Sequence, residues 1–121
     1  MGITKVGRVM VTVSDQDKAI DFYCGTLGFE KTADVPFGNG DRWIEVTAPS
    51  GGAAIALISP GEQNQPGAMT NVGLECDDID KTHADLKAKG VDVDAEVSRF
   101  GDPVPPMFCF RDQDGNTLLA V

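Results

Sequence analysis

Few side chains in this 121-residue sequence could do chemistry, and they are scattered. There is one histidine, His83, and there are three cysteines, Cys24, Cys76 and Cys109, far apart and without a CxxC spacing. His83 falls in the middle of a helical stretch, where a histidine is a surface or interface residue rather than a metal ligand. The three thiols sit in apolar settings and read as buried and free, which points to a reducing cytoplasm. Glu45 and Glu75 occupy alternating positions of strand-like stretches. They could bind a cation together, act as a base, or pair with Arg8 and Arg111. Trp43, the single tryptophan, offers a flat face on which a planar or cationic ligand can stack.

The elements that must position these residues come in two copies. RVMVTVSDQDK, from Arg8, and NVGLECDDIDK, from Asn71, align at a constant offset of 63 residues. Val9 falls on Val72, Val11 on Leu74, Asp15 on Asp78 and Asp17 on Asp80. In the first copy Lys5 to Val13 alternates as a strand. Ser14 offers a helix N-cap, Ile20, Tyr23 and Leu27 recur at helical spacing, and Gly28 is a natural stop. Strands follow at Phe29 to Val35, Arg42 to Thr47 and Ala53 to Ile58, with PFGNGD (36–41) as a Gly-rich loop. Residues 59–69 have the composition of a surface linker. The second copy repeats the order. Asn71 to Cys76 is a strand, Asp77 and Asp78 start a helix that runs to Lys89 and Gly90, and Val91 to Val97 is the next strand. The loop SRFGDPVPP precedes strands at Met107 to Arg111 and Thr117 to Val121, which the turn DQDGN connects.

Each β-α-β-β-β unit is too small to bury its sheet alone, so the two are expected to enclose a cleft. Strand parity places Arg8, Met10, Thr12, Trp43, Glu45, Thr47, Ala54, Ala56 and Ile58 on the face away from the first helix. It places Asn71, Gly73, Glu75, Met107, Cys109, Arg111, Thr117 and Leu119 on the corresponding face of the second copy. This is a largely apolar surface with a few polar groups, the character of a small-molecule site. The Gly-rich loops 36–41 and 99–106 occupy matching places and could act as lids. Neither has the context of a phosphate-cradling motif.

A net charge of −9 argues against nucleic acid, whose phosphates would be repelled. No apolar run approaches the ~20 residues of a membrane helix, and no signal-peptide core is expected at the N-terminus. A 41% apolar fraction is ordinary for a soluble globular protein of one domain.

FYCGTLGF (Phe22 to Phe29), following VTVSDQDKAI, resembles the first-module signature of the vicinal oxygen chelate superfamily. FRDQDGN (Phe110 to Asn116) resembles its second-module turn, with Gln113 where Pro is usual. The superfamily includes glyoxalase I, extradiol dioxygenases, fosfomycin-modifying enzymes and bleomycin-binding resistance proteins. The resemblance spans essentially the whole chain. It implies an α+β fold, two tandem βαβββ modules forming a curled mixed sheet around a cleft. The modules are about 1–58 and about 70–121 of a single domain.

The resemblance also implies where a divalent metal would be held: Arg8, about Ala56, Asn71 and Leu119. A cation, two aliphatic groups and a weakly ligating amide do not make a metal site. A shift by one residue reaches only Val9, Ile55, Leu57, Val72, Leu118 or Ala120. The sequence is therefore expected to be metal-free and without a cofactor. It is expected to bind a small molecule, a drug or metabolite that it sequesters, through Arg8, Trp43, Glu45, Asn71, Glu75, Met107, Cys109 and Arg111. The alternative is a lyase, isomerase or dioxygenase-type enzyme of the same superfamily, metal-free with a Glu base or with relocated ligands. Edge strands at Lys5 to Val13 and Asn71 to Cys76 lead to the expectation of a homodimer.

Overall fold

A computed structural model describes residues 1–121, and by internal contacts the chain divides into two units, Met1–Pro66 and Gly67–Val121. In the first, β1 (Arg8–Thr12) leads into α1 (Gln16–Ile20), which continues as a π-helical segment, Asp21–Thr26. Strands β2 (Glu30–Pro36), β3 (Arg42–Thr47) and β4 (Ala54–Ile58) follow. The second unit runs β5 (Met69–Leu74), α2 (Ile79–Ala88), β6 (Asp92–Val93), β7 (Phe108–Arg111) and β8 (Thr117–Ala120). Each forms a mixed four-stranded sheet, in the orders β1-β4-β3-β2 and β5-β8-β7-β6. In each, the first and last strands of the unit pair in parallel and the remaining pairs are antiparallel.

Period-2 patterning decides which face is buried. Val11, Val13, Ile44, Val46, Ile55 and Leu57 are almost wholly inaccessible, together with Ala19 and Tyr23 of the first helix. The helix thus buries Ala19 and Tyr23, four residues apart, while the expected Ile20 and Leu27 are only half-buried. Gln16 fastens it to the sheet by donating from Nε2 to the carbonyls of Arg42 (2.7 Å) and Leu57 (2.9 Å). In the second unit the buried set is Leu86, Phe108, Phe110, Leu118 and Ala120. Full burial of each large apolar side chain contributes roughly 1.5–3 kcal/mol.

The N-cap of α1 is Asp15 rather than Ser14. Its carboxylate accepts from Lys18 N at 3.1 Å, as that of Asp78 accepts from Lys81 N at 3.0 Å in α2. These residues are 63 apart, so the repeat conserves the cap itself. Gly28 and Gly90 adopt φ of 82° after the two helices, a conformation open to glycine but strained for other residues.

Three expected elements differ. β1 is shorter than Lys5 to Val13, and residues 2–6 are exposed. The strand expected over Val91 to Val97 is reduced to Asp92–Val93, with an isolated bridge between Ser98 and Met107. There, Asp94 N donates to Cys109 O, but Cys109 N donates to the Asp94 carboxylate (2.9 Å each), so a side chain replaces the backbone ladder. The strand expected to start at Asn71 starts at Met69 and bulges: Met69 is opposite Thr117, and Gly73 is opposite Leu119. Thr70 Oγ1 donates to Thr117 O (2.7 Å) and accepts from Val72 N (3.1 Å), while Asn71 takes φ 57°. Asparagine tolerates that conformation.

The turn at 112–116 is more than a hairpin connection. Asp112 Oδ1 accepts from the backbone N–H groups of Asp114 and Asn116, and Asn116 Nδ2 donates to Asp112 Oδ2 at 2.9 Å. The buried Asn116 Oδ1 then accepts from Gly67 N (2.8 Å) and Ala68 N (3.0 Å), pinning the segment that enters β5. Asn116→Ala removes the buried acceptor of two part-buried N–H groups together with the Asp112 contact, and should destabilise the protein by about 1–3 kcal/mol, read from the urea midpoint at constant m-value. A change below about 0.5 kcal/mol would show that this network does not hold the turn.

Candidate functional site

In the first unit the site face is shaped by what the central strand lacks. Ala54 and Ala56 of β4 present only methyl groups, and the register sets Arg8 beside Ala54 and Glu45 beside Ala56. Side chains from β1 and β3 can therefore meet over β4. Arg8 Nε donates to Glu45 Oε2 at 2.7 Å, and the Trp43 indole Nε1 donates to the same oxygen at 2.7 Å. Ala56 is fully buried on the strand between them. The Glu45 side chain is 12% exposed and that of Arg8 55%, so the carboxylate is sheltered while the guanidinium head is open. The hydrogen bond from Arg8 and then that from Trp43 hold the Glu45 carboxyl below the usual carboxylate range.

Beside this cluster lies a cavity of about 220 Å³, lined by Met10, Phe37, Trp43, Ile58, Ser59 and Asn64 together with Asp41 and Arg42. Phe37 projects from loop 36–41 and is 63% exposed, its ring tilted 49° against Trp43 with centroids 5.7 Å apart. The loop is fixed by Phe37 N donating to Asp41 O and Asp41 N donating to Gly38 O. Residues 59–66 are not a slack linker. Asn64 Nδ2 donates to Thr12 Oγ1 (2.8 Å) and Ser59 O (3.2 Å), and Gly61 N donates to Asn64 O. Arg42 braces the opposite border, binding Asp34 through Nε and Nη2 and Asp17 through Nη1. That fork drives the Asp34 carboxyl far below its ordinary value, with Lys31 assisting.

The second unit carries a different cluster. Arg111 donates from Nη1 to Asp94 (3.0 Å) and from Nη2 to Asp92 (3.1 Å). Partial burial acts to raise the Asp94 carboxyl, but the Cys109 N–H and Arg111 outweigh it and the net shift is downward. Burial, then the adjacent Asp94 charge, raises the Cys109 thiol, which stays protonated at neutral pH and is a poor nucleophile. The cysteines are free but half-buried rather than buried. His83 ties helix to sheet, its Nε2 lying 2.7 Å from Asp94 O and its ring edge-on to Phe108 at 4.9 Å. Phe100, 63 residues after Phe37, is likewise exposed, and with Val104 and Pro106 it borders a second cavity of about 240 Å³.

The site residues expected from sequence thus fall into groups. Arg8, Glu45 and Trp43 touch; Cys109 and Arg111 share Asp94; Met107 is half-buried beside them in β7's approach; Asn71 and Glu75 are exposed. Sequence reasoning missed Asp94, Asn64, Phe37 and Phe100. The recurrence of Phe-Gly at 37–38 and 100–101 was the available signal for the last two.

The residues at the implied metal positions do not fit a metal. Arg8 is ion-paired, Ala56 is a methyl group, Asn71 sits exposed on a bulge and Leu119 is aliphatic. No group of three or more His, Cys, Asp or Glu side chains is placed to hold one. No helix is long and apolar enough to cross a membrane.

Tandem β-α-β-β-β units with mixed four-stranded sheets define a glyoxalase-type α+β fold. The chain belongs to the Glyoxalase/Bleomycin resistance protein/Dioxygenase superfamily, whose family model matches residues 5–119. It is 34% identical to the uncharacterised protein YetH of Bacillus subtilis (strain 168), over 97% of each chain. Among solved structures it is similar to TnmS3, an antibiotic binding protein from Streptomyces sp. CB03234. That match has 35% identity and a TM-score of 0.86, over 99% of this chain and 96% of that one. A superfamily member from Sphaerobacter thermophilus DSM 20745 superposes with a TM-score of 0.91 at 33% identity, over 100% and 98% of the two chains.

The depressed carboxyls of Asp34, Glu45 and Asp94 have a signed consequence. A carboxyl lowered in the folded state stabilises it above the unfolded pKa of about 4, and that contribution is lost as pH falls further. Melting temperature should be level from pH 7 to about 5 and decline progressively below about 4. Asp34→Asn should make the decline shallower; an unchanged slope would remove Asp34 from the acid-sensitive set.

Proposed function

We propose that the protein binds a small molecule, a drug or metabolite that it sequesters, without a metal or other cofactor. The observation that carries this reading is the cavity of the first unit, lined by the aromatic and apolar side chains of Trp43, Phe37, Met10 and Ile58 beside four polar residues. At about 220 Å³ it accommodates a ring system rather than a polymer. The likeness to an antibiotic binding protein at 35% identity supports the same reading. The alternative, an enzyme with Glu45 as base, is disfavoured by chemistry. A carboxylate that accepts two hydrogen bonds on one oxygen and is held below its usual range is a weak base. For the second unit, Asn71, Glu75, Met107, Cys109 and Arg111 are proposed as ligand-contacting residues on that unit's own site face.

We further propose that the protein is a cytoplasmic homodimer. β1 and β5 each leave one edge unpaired, and the exposed apolar residues Val6, Met10 and Met69 lie on or beside them. Such edges are commonly covered by a second chain. Light scattering at micromolar concentration should give the dimer mass, and a monomer would refute this assembly.

The binding function is tested by elemental analysis together with a thermal-shift screen of planar aromatic compounds. Less than a tenth of an equivalent of zinc, nickel, iron or manganese is expected. At least one compound should raise the melting temperature through mass action, and Trp43→Ala should abolish that rise. Stoichiometric metal, with activity lost on chelation, would establish the enzyme reading instead.

A further inference from the structure

Resting on the binding reading above, we infer that the ligand carries an anionic, carboxylate-like group, and that the Nη1/Nη2 edge of Arg8 receives it while the attached ring lies on Trp43. A guanidinium has five N–H donors in a planar fork. Arg8 commits only Nε, to Glu45 Oε2, and the rest of its head is open on the site face. The other arginines bound into the sheets are used more fully. Arg42 bridges two carboxylates, Asp34 with one edge and Asp17 with Nη1, and Arg111 bridges Asp94 and Asp92. Arg8 meets one internal carboxylate and keeps a two-pronged edge with the geometry to take a second.

The position of that edge relative to the cavity follows from shared contacts. Arg8 Nε and Trp43 Nε1 both lie 2.7 Å from the same Glu45 oxygen, so the guanidinium and the indole are immediate neighbours. Arg8 also precedes Met10, which lines the cavity, by one two-residue step of β1, about 7 Å. A planar acid seated on the indole therefore reaches the fork with a carboxylate attached directly to its ring. Because the indole N–H is held by Glu45, the ring's orientation is fixed before the ligand arrives. Glu45 keeps the site from being simply cationic, so selectivity comes from fork geometry rather than from a general positive field. The overall charge of −9 acts in the opposite sense, disfavouring anions.

The test compares 2-naphthoate with its neutral counterpart 2-naphthamide on the intact protein at pH 7.5. Calorimetry gives the affinities, and the single Trp43 indole N–H resonance gives the location. The acid should bind at least tenfold tighter than the amide, and both should shift the indole signal. Arg8→Met should abolish the preference, bringing the acid-to-amide affinity ratio to within about twofold of one; Arg8→Lys, with charge but no fork, should retain only part of it. Circular dichroism verifies that the variants are folded. Equal binding of acid and amide by the unaltered protein, with the indole shifted by both, would overturn the role of Arg8 and leave the binding reading standing. An acid preference that survives Arg8→Met would overturn it too. An indole signal unmoved by either compound at millimolar concentration would overturn both this assignment and the aromatic cavity as the binding site.

Discussion

The site of the first unit depends on one steric constraint, the smallness of Ala54 and Ala56 on the central strand β4. That strand is buried on both faces, with Ile55 and Leu57 in the core and the two alanines on the other side. A larger side chain at Ala56 would stand between Arg8 and Glu45, whose strands flank β4. With methyl groups there, the two charged side chains close over the strand, and the indole of Trp43 is drawn to the same carboxylate. Here the space is filled by an ion pair built from the neighbouring strands.

Outside the apolar rows, much of the fold is specified by polar side chains that substitute for backbone partners. Gln16 reaches two carbonyls, Thr70 and Asp94 enter β-ladders, and Asn116 satisfies two N–H groups at the start of β5. Removing such a side chain strands a backbone donor or acceptor that the unfolded chain would give to water, so these contacts matter more than their number. Salt bridges such as Lys81–Asp85 are exposed at both ends and contribute little by comparison.

This division explains what the sequence revealed. The repeat, the strand parity and the helix stops were legible because burial imposes period-2 and helical patterns over many residues. Val11, Val13, Ile44 and Val46 are buried as alternation requires, and the site-face residues of β1 and β3 are the more exposed ones. The pairing of Glu45 with Arg8 was one of the partners their shared face allowed. The single-residue substitutions for backbone were not legible. Nothing in the composition of Val91 to Val97 shows that Asp94 will turn into the ladder and cut the strand short. Asn64, in a stretch with linker composition, docks on Thr12 through a contact 52 residues away in sequence, which no local pattern encodes. The N-cap was misplaced by one residue because Ser14 and Asp15 are both good caps and only geometry selects between them.

The two units also show how far a duplication constrains chemistry. Caps, helix stops, strand order and even the exposed Phe-Gly loop tips recur, because each serves folding or the outline of a surface. The groups on the site faces do not recur. In the pairing of β7 with β8, Cys109 and Leu119 hold the places that Glu45 and Ala56 hold in the pairing of β3 with β4. Asn71, at the repeat position of Arg8, stands on a bulge at positive φ. With leucine on the central strand and no acid at position 109, an Arg–Glu bridge of the first kind cannot form there. Arg111 instead turns to Asp94 and Asp92 on the neighbouring strand segment. The repeat therefore supplies two equivalent frames, and only in the first does an arginine of the sheet keep an open guanidinium edge beside an indole.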